Sequence, residues 1–113
     1  MDEFGRKALL FDFYGPLLTP RQQEVYDYSC SEDMSLGEIA ETLGISRQAV
    51  HDNLRRTEKI LEEYEAKLGL AEKFLAIEGH VENIRRSVSA MDDSQETRSV
   101  LKEIDAIDAL ERR

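Results

Sequence analysis

SLGEIAETLGISRQAVHDNLRR, residues 35–56, is the stretch whose reading decides the fold. Ser35 and Glu38 form a capping box. The serine hydroxyl accepts from the amide three residues on, and the glutamate returns a bond to the serine amide. Such a cap contributes about 1 kcal/mol. Leu36, Ile39, Ala40 and Leu43 follow at helical spacing, and Gly44 can take the left-handed conformation that stops a helix. Ile45 points inward and Ser46 caps the next helix at once, so the stretch predicts two helices joined by a tight turn. That is a helix-turn-helix. Ala40 is small enough for the second helix to cross close by, Gly44 and Ile45 supply the turn, and Val50 and Leu54 supply the core contacts. An ordinary αα-hairpin is the alternative; five agreeing positions and both caps favour the helix-turn-helix.

The second helix is long. Val50, Leu54, Thr57, Leu61, Tyr64 and Leu68 repeat with alternating spacings of four and three, which predicts one helix over 46–68, ended or kinked at Gly69. With that row inward, Arg47, Gln48, His51, Asp52 and Arg55 fall on the exposed arc. In a DNA-reading motif the N-terminal residues of this helix enter the major groove. Gln48 suits adenine and arginine suits guanine, each through two hydrogen bonds, while His51 can donate or accept. Ser46 and the helix N-terminus suit a phosphate. Arg56 and Lys59 lie further round and would meet phosphates. Ser46, Arg47, Gln48, His51, Arg55, Arg56 and Lys59 are thus the candidate nucleic-acid contacts. For any one of them, a solvated polar face is the competing explanation. Asp52 argues against DNA there, since a carboxylate repels phosphate and reads only cytosine well.

Charge sharpens the point. The 113-residue chain has a net charge of −9, which argues against a general polyanion binder. Screening makes charge local, over about 8 Å at physiological salt. Residues 1–45 carry three basic and nine acidic side chains, net −6; residues 60–113 carry eight and thirteen, net −5. Residues 46–59 carry Arg47, Arg55, Arg56 and Lys59 against Asp52 and Glu58, net +2. The positive block begins where the motif presents its second helix. Four cations imply a modest salt dependence and weak binding without a dimer.

The rest of the chain also reads as helix. Residues 3–14 carry Phe4, Ala8 and Phe11 in one stripe, with Leu10, Phe13 and Leu17 beside it, and Gly15-Pro16 breaks the helix. Thr19-Pro20 opens a second helix that runs to Cys30, with Val25, Tyr28 and Ser29 or Cys30 inward. Beyond Gly69, Leu70, Phe74, Ile77, Val81, Ile84, Val88 and Met91 keep a heptad and need a partner, either within the chain or in a second copy. Asp93 and Glu96 suggest another capping box before a last helix over 94–111. No segment alternates like a strand. The expectation is an all-α chain of about six helices, with a helix-turn-helix domain over 1–68 and a C-terminal helical arm over 69–113 that packs on it or on a partner chain.

LTPRQQEV at 18–25, followed by the opening stretch and KIL at 59–61, resembles region 4 of sigma-70-type factors, whose helix-turn-helix reads promoter DNA. FDFY at 11–14, SLGEIAE at 35–41, SRQAVHDNLRRTE at 46–58 and LEEYEAKL at 61–68 together resemble the YlxM (UPF0122, p13-like) family of Gram-positive bacteria. That resemblance implies a regulatory role and gene proximity to the signal recognition particle GTPase and its receptor. The particle's protein or RNA is therefore an implied partner, beside DNA and a homodimer. The family has no assigned catalytic residues.

Enzymatic function is not expected. There is no phosphate-cradling GxxxxGK[ST], no HExxH and no Cys/His cluster, and His51 and His80 are too few for a metal site without carboxylates. No cofactor is expected. Cys30, the single cysteine, reads as a small buried apolar side chain and fits a reducing cytoplasm. Neither a signal peptide nor an apolar run near the roughly 18 residues of a spanning helix is present, so membrane insertion is not expected.

Overall fold

Capping chemistry sets most of the helix boundaries in the computed structural model, which describes residues 2–111. Residues 1, 112 and 113, included in the expected domain division, lie outside them. Helix α1 (Glu3–Tyr14) is capped by Asp2, whose carboxylate accepts the Gly5 amide at 2.7 Å. A 3-10 turn (Gly15–Leu17) follows where Gly15-Pro16 breaks the helix. Helix α2 (Pro20–Cys30) opens with a Thr19–Gln22 capping box and Pro20 at its first position. Helix α3 (Leu36–Leu43) has the expected Ser35–Glu38 box, both bonds at 3.1 Å, and ends at Gly44 with φ 69°. Helix α4 (Arg47–Leu68) is capped by Ser46 and ends at Gly69 with φ 62°. Helices α5 (Leu70–Ser89) and α6 (Gln95–Glu111) complete the described residues, among which there is no strand. The fold is all-α, with a helix-turn-helix built from α3 and α4.

The chain divides into two compact units, between Ala71 and Glu72. In the first, α1, α2 and α3 all pack on α4. One apolar cluster joins Leu10, Tyr14, Leu18, Tyr26, Leu61 and Ala71. A second joins Val25, Ile39, Ala40 and Val50, and Leu54 packs against both. Val50, Thr57 and Leu61 of the predicted α4 row are buried, but the row frays at its end, where Leu68 is exposed.

Three expectations about side chains need correction. Tyr26, absent from the expected inward row of α2, is its fully buried tyrosine, while Tyr28 does face inward but is only half-buried against the second cluster. The reason is that α2 contributes to both clusters, Val25 to one and Tyr26 to the other, so its buried arc is wider than a single stripe. The Tyr26 ring lies 4.9 Å from that of Phe11. Leu17 is exposed and Leu18 takes its place inside, because the 3-10 turn advances the chain by three residues per turn and breaks the α-helical register. Phe4, in the first turn of α1, is also exposed.

In the second unit, Arg85 of α5 donates to Asp105 at 3.0 Å and Asp108 at 2.6 Å on α6. The Asp105 hydrogen bond holds its guanidinium pKa above the usual value. The cap of α6 also differs from expectation. Ser94 and Thr97 bond reciprocally around its first turn, the Thr97 amide to Ser94 Oγ at 3.1 Å and the Ser94 amide to Thr97 Oγ1 at 2.9 Å. A hydroxyl both accepts and donates, so buried Thr97 closes the box that Glu96 was expected to close, and Asp93 pairs with Arg98 at 2.9 Å instead. Along α5, Val81 and Val88 are buried while Ile77 and Ile84 are exposed, as is Met91 just beyond the helix. On α6, Ile104 is buried while Val100 and Ile107 are exposed.

Candidate nucleic-acid interface

The turn between α3 and α4 sets where the candidate residues stand. Gly44 reverses the chain, the Ile45 amide donates to the Ala40 carbonyl at 3.1 Å, and Ser46 Oγ accepts the Ala49 amide at 3.0 Å. The first turn of α4 is therefore rigidly placed. The Ser46 hydroxyl spends its acceptor on the cap and keeps its hydrogen free to donate.

Arg47 begins α4 and folds back on α3. A methyl group built on Gly37 would lie 3.1–3.3 Å from the Arg47 guanidinium, so the glycine leaves the space that the arginine occupies. Gln48 stands one turn from Asp52, and its Nε2 donates to Asp52 Oδ1 at 2.9 Å. His51 Nδ1 lies 3.7 Å from the same oxygen. Ser46, Arg47, Gln48, His51 and Asp52 thus form one group on the first two turns of α4.

The remaining candidates separate onto two flanks. Arg56 lines a cleft of about 290 Å³ with Gln22 of α2 and Ala49, Asp52 and Asn53 of α4. Arg55 and Lys59 line another, of about 310 Å³, with Glu3, Lys7 and Leu10 of α1, Tyr26 of α2 and Glu58, Leu61 and Glu62 of α4. Lys7 pairs there with Glu58 at 3.3 Å, and Arg6 pairs with Glu62 at 2.9 Å. Among the described residues, Arg47, Arg55, Arg56 and Lys59 form no ion pair, whereas Arg6, Lys7, Arg21, Arg85 and Arg98 all do. Lys67, Lys73, Arg86 and Lys102 likewise form none, and Glu3, Glu58 and Glu62 share the cleft of Arg55 and Lys59.

Gly37, Gln22, Asn53 and Lys7 join this surface beside the residues expected there, and Asp52, expected to repel phosphate and to suit only cytosine, accepts a hydrogen bond from Gln48. The four-residue spacing of Gln48 and Asp52 is a recognised helical hydrogen-bonding pair and was the available signal. The seat at Gly37 has no local signal, since it depends on how α3 and α4 cross.

A family model described as "Putative helix-turn-helix protein, YlxM / p13 like" (UPF0122) matches residues 1–103. The chain belongs to this family. Among its UPF0122 relatives, a protein of Exiguobacterium sp. is 43% identical over 105 residues, covering 93% of this chain and 98% of the relative. One of Shouchella clausii is 42% identical over 108 residues, covering 96% and 99%. One of Symbiobacterium thermophilum is 59% identical over 69 residues, 61% of this chain and 64% of the relative. That description names the helix-turn-helix built here from α3 and α4. Among the described residues there is no cluster of His, Cys, Asp and Glu fit for a metal ion, and no helix long and apolar enough to cross a membrane.

Proposed function

We propose that this UPF0122 protein is a cytoplasmic DNA-binding regulator that lays the first turns of α4 in the major groove. The observation that carries the reading is the net positive block of Arg47, Arg55, Arg56 and Lys59 around a polar helix start, in a chain whose other segments are acidic. Gln48 and Arg47 face base edges, with His51 and Arg55 beside them. Ser46 and the amides at the start of α4 meet one phosphate; Arg56 and Lys59, on opposite flanks, meet others. The test is selection of duplexes from a random-sequence pool, followed by anisotropy titrations of wild type, Arg47→Ala, Gln48→Ala and Arg55→Ala. Each variant should bind the selected duplex more weakly; equal affinity of all four for every duplex tried would sink the reading.

Four cations bind DNA weakly, and a dimer would double the contacts. The exposed apolar positions Ile77 and Ile84 of α5, Met91 just beyond it, and Val100 and Ile107 of α6 support association with a second copy. A purely monomeric sedimentation profile at micromolar concentration would remove that route.

The acidic first 45 residues favour a second reading, in which the protein docks a basic partner. The family resemblance points to the signal recognition particle, with its protein on the acidic surface or its RNA along Arg55 and Lys59. Co-purification with the particle's GTPase, lost as salt rises, is the expected result; no recovery at low salt counts against it.

A further inference from the structure

We infer that Asp52 is a positioning residue that holds Gln48 ready to read a base, an inference that rests on the DNA-reading function proposed above. Taken alone, Asp52 is a misplaced charge. It is a half-exposed carboxylate inside the positive block, on the arc that meets DNA, and it repels phosphate. Its geometry supplies a compensating role. Gln48 Nε2 donates to Asp52 Oδ1 at 2.9 Å along one face of α4. A carboxylate can only accept, so this bond fixes which end of the Gln48 amide is nitrogen. It uses one of the two N–H groups. The other N–H and the carbonyl oxygen remain, and these are the donor and acceptor that a glutamine offers to N7 and N6 of adenine.

Glutamine is among the side chains with most rotamer freedom to lose. A bond formed before DNA arrives removes part of that ordering cost from the binding step. The backbone beneath is already fixed, because Ser46 caps the helix two residues before Gln48. Asp52 thus trades general attraction to phosphate for a preset reading side chain, a trade that favours discrimination over affinity.

The charge and the hydrogen bond can be separated. Asp52→Asn removes the charge and keeps an acceptor oxygen; Asp52→Ala removes both. Each is titrated against the duplex selected by wild type and against the same duplex altered at the base pair where Gln48→Ala loses discrimination. Both variants should bind all duplexes a few-fold more tightly. Only Asp52→Ala should lose discrimination, by roughly two- to threefold, in keeping with a helical side-chain pair. In the free protein, NMR relaxation of the Gln48 side-chain NH2 should show it more mobile in Asp52→Ala than in wild type or Asp52→Asn. Full discrimination by Asp52→Ala, or a Gln48 amide equally mobile in all three, overturns the positioning role while leaving DNA reading intact. A pool that yields no preferred duplex overturns both.

Discussion

The Tyr14 hydroxyl donates to Oε1 of Glu65 at 2.6 Å, tying the last residue of α1 to the last turn of α4. The same carboxylate oxygen accepts the Ala71 amide at 3.0 Å, and the Tyr14 oxygen accepts the Leu70 amide at 3.1 Å. Two amides at the start of α5, which have no partner in their own helix, are thereby satisfied by side chains of α1 and α4. Tyr14→Phe keeps the packed ring, which stacks 5.7 Å from Tyr64, and removes the hydroxyl. It should destabilise the first unit by about 1–3 kcal/mol, the cost of leaving charged and backbone partners unmet. The shift in urea midpoint at unchanged slope measures it.

Two glycines should respond oppositely to the same change. Gly44 has φ 69°, where an added Cβ is strained, so Gly44→Ala should cost about 1–2 kcal/mol although nothing crowds the site. Gly79 lies within α5 with open space around it, so Gly79→Ala should stabilise that helix by about 0.5–1 kcal/mol. Thermal unfolding reads the first, and hydrogen exchange of α5 amides reads the second.

Alkali should destabilise the first unit. Burial raises the pKa of the Cys30 thiol and of the Tyr14 and Tyr26 hydroxyls. Each group holds its proton more tightly when folded, so its contribution is fully present below the unfolded value and is lost as pH rises through the folded one. Stability should therefore hold near neutrality and fall above about pH 9, beginning with Cys30. Urea midpoints between pH 7 and 11 test this, and Cys30→Ser should remove the earliest part of the loss. At neutral pH, Cys30 should alkylate more slowly than a free cysteine, because the thiolate is the reactive form.

Gly37→Ala should act on Arg47 rather than on the fold. The added methyl meets only the far end of a flexible side chain, and α3 gains up to about 1 kcal/mol of helix propensity. Stability should be unchanged or raised, while affinity for the selected duplex changes because Arg47 has lost its seat. Circular dichroism melts and anisotropy together separate the two effects.

Salt should weaken DNA binding only moderately. With four cations in the proposed interface of each chain, the log–log salt slope should be no steeper than about −4, and Arg56→Ala should make it shallower by about 1 at every sequence. A slope unaffected by Arg56→Ala would place that side chain outside the contact.

Much of the architecture was legible locally. The Ser35–Glu38 box, the glycine stops at Gly44 and Gly69 and the row from Val50 to Leu61 all follow from contacts within a few residues along one helix. The α6 box was misread locally, because Ser94 and Thr97 compete with Asp93 and Glu96 for the same cap; the other misreadings came from packing and register. Tyr26 is buried because α2 lies between two clusters, and Leu18 replaces Leu17 because a 3-10 turn breaks the register. At the candidate interface, the residue types on α4 were readable from its periodicity. Their division between the α1 flank and the α2 flank was not.

By itself, then, the sequence determined the helices, the caps of α2, α3 and α4, the helix-turn-helix and the place of the positive block, because capping and helical periodicity act over three or four residues. Only the tertiary structure decided that Arg47 rests on Gly37, that Glu65 and Tyr14 cap the start of α5, and that Arg55 and Arg56, adjacent in the chain, line different clefts. These depend on how helices cross, and crossing is set by side chains distant in sequence that fill the same space.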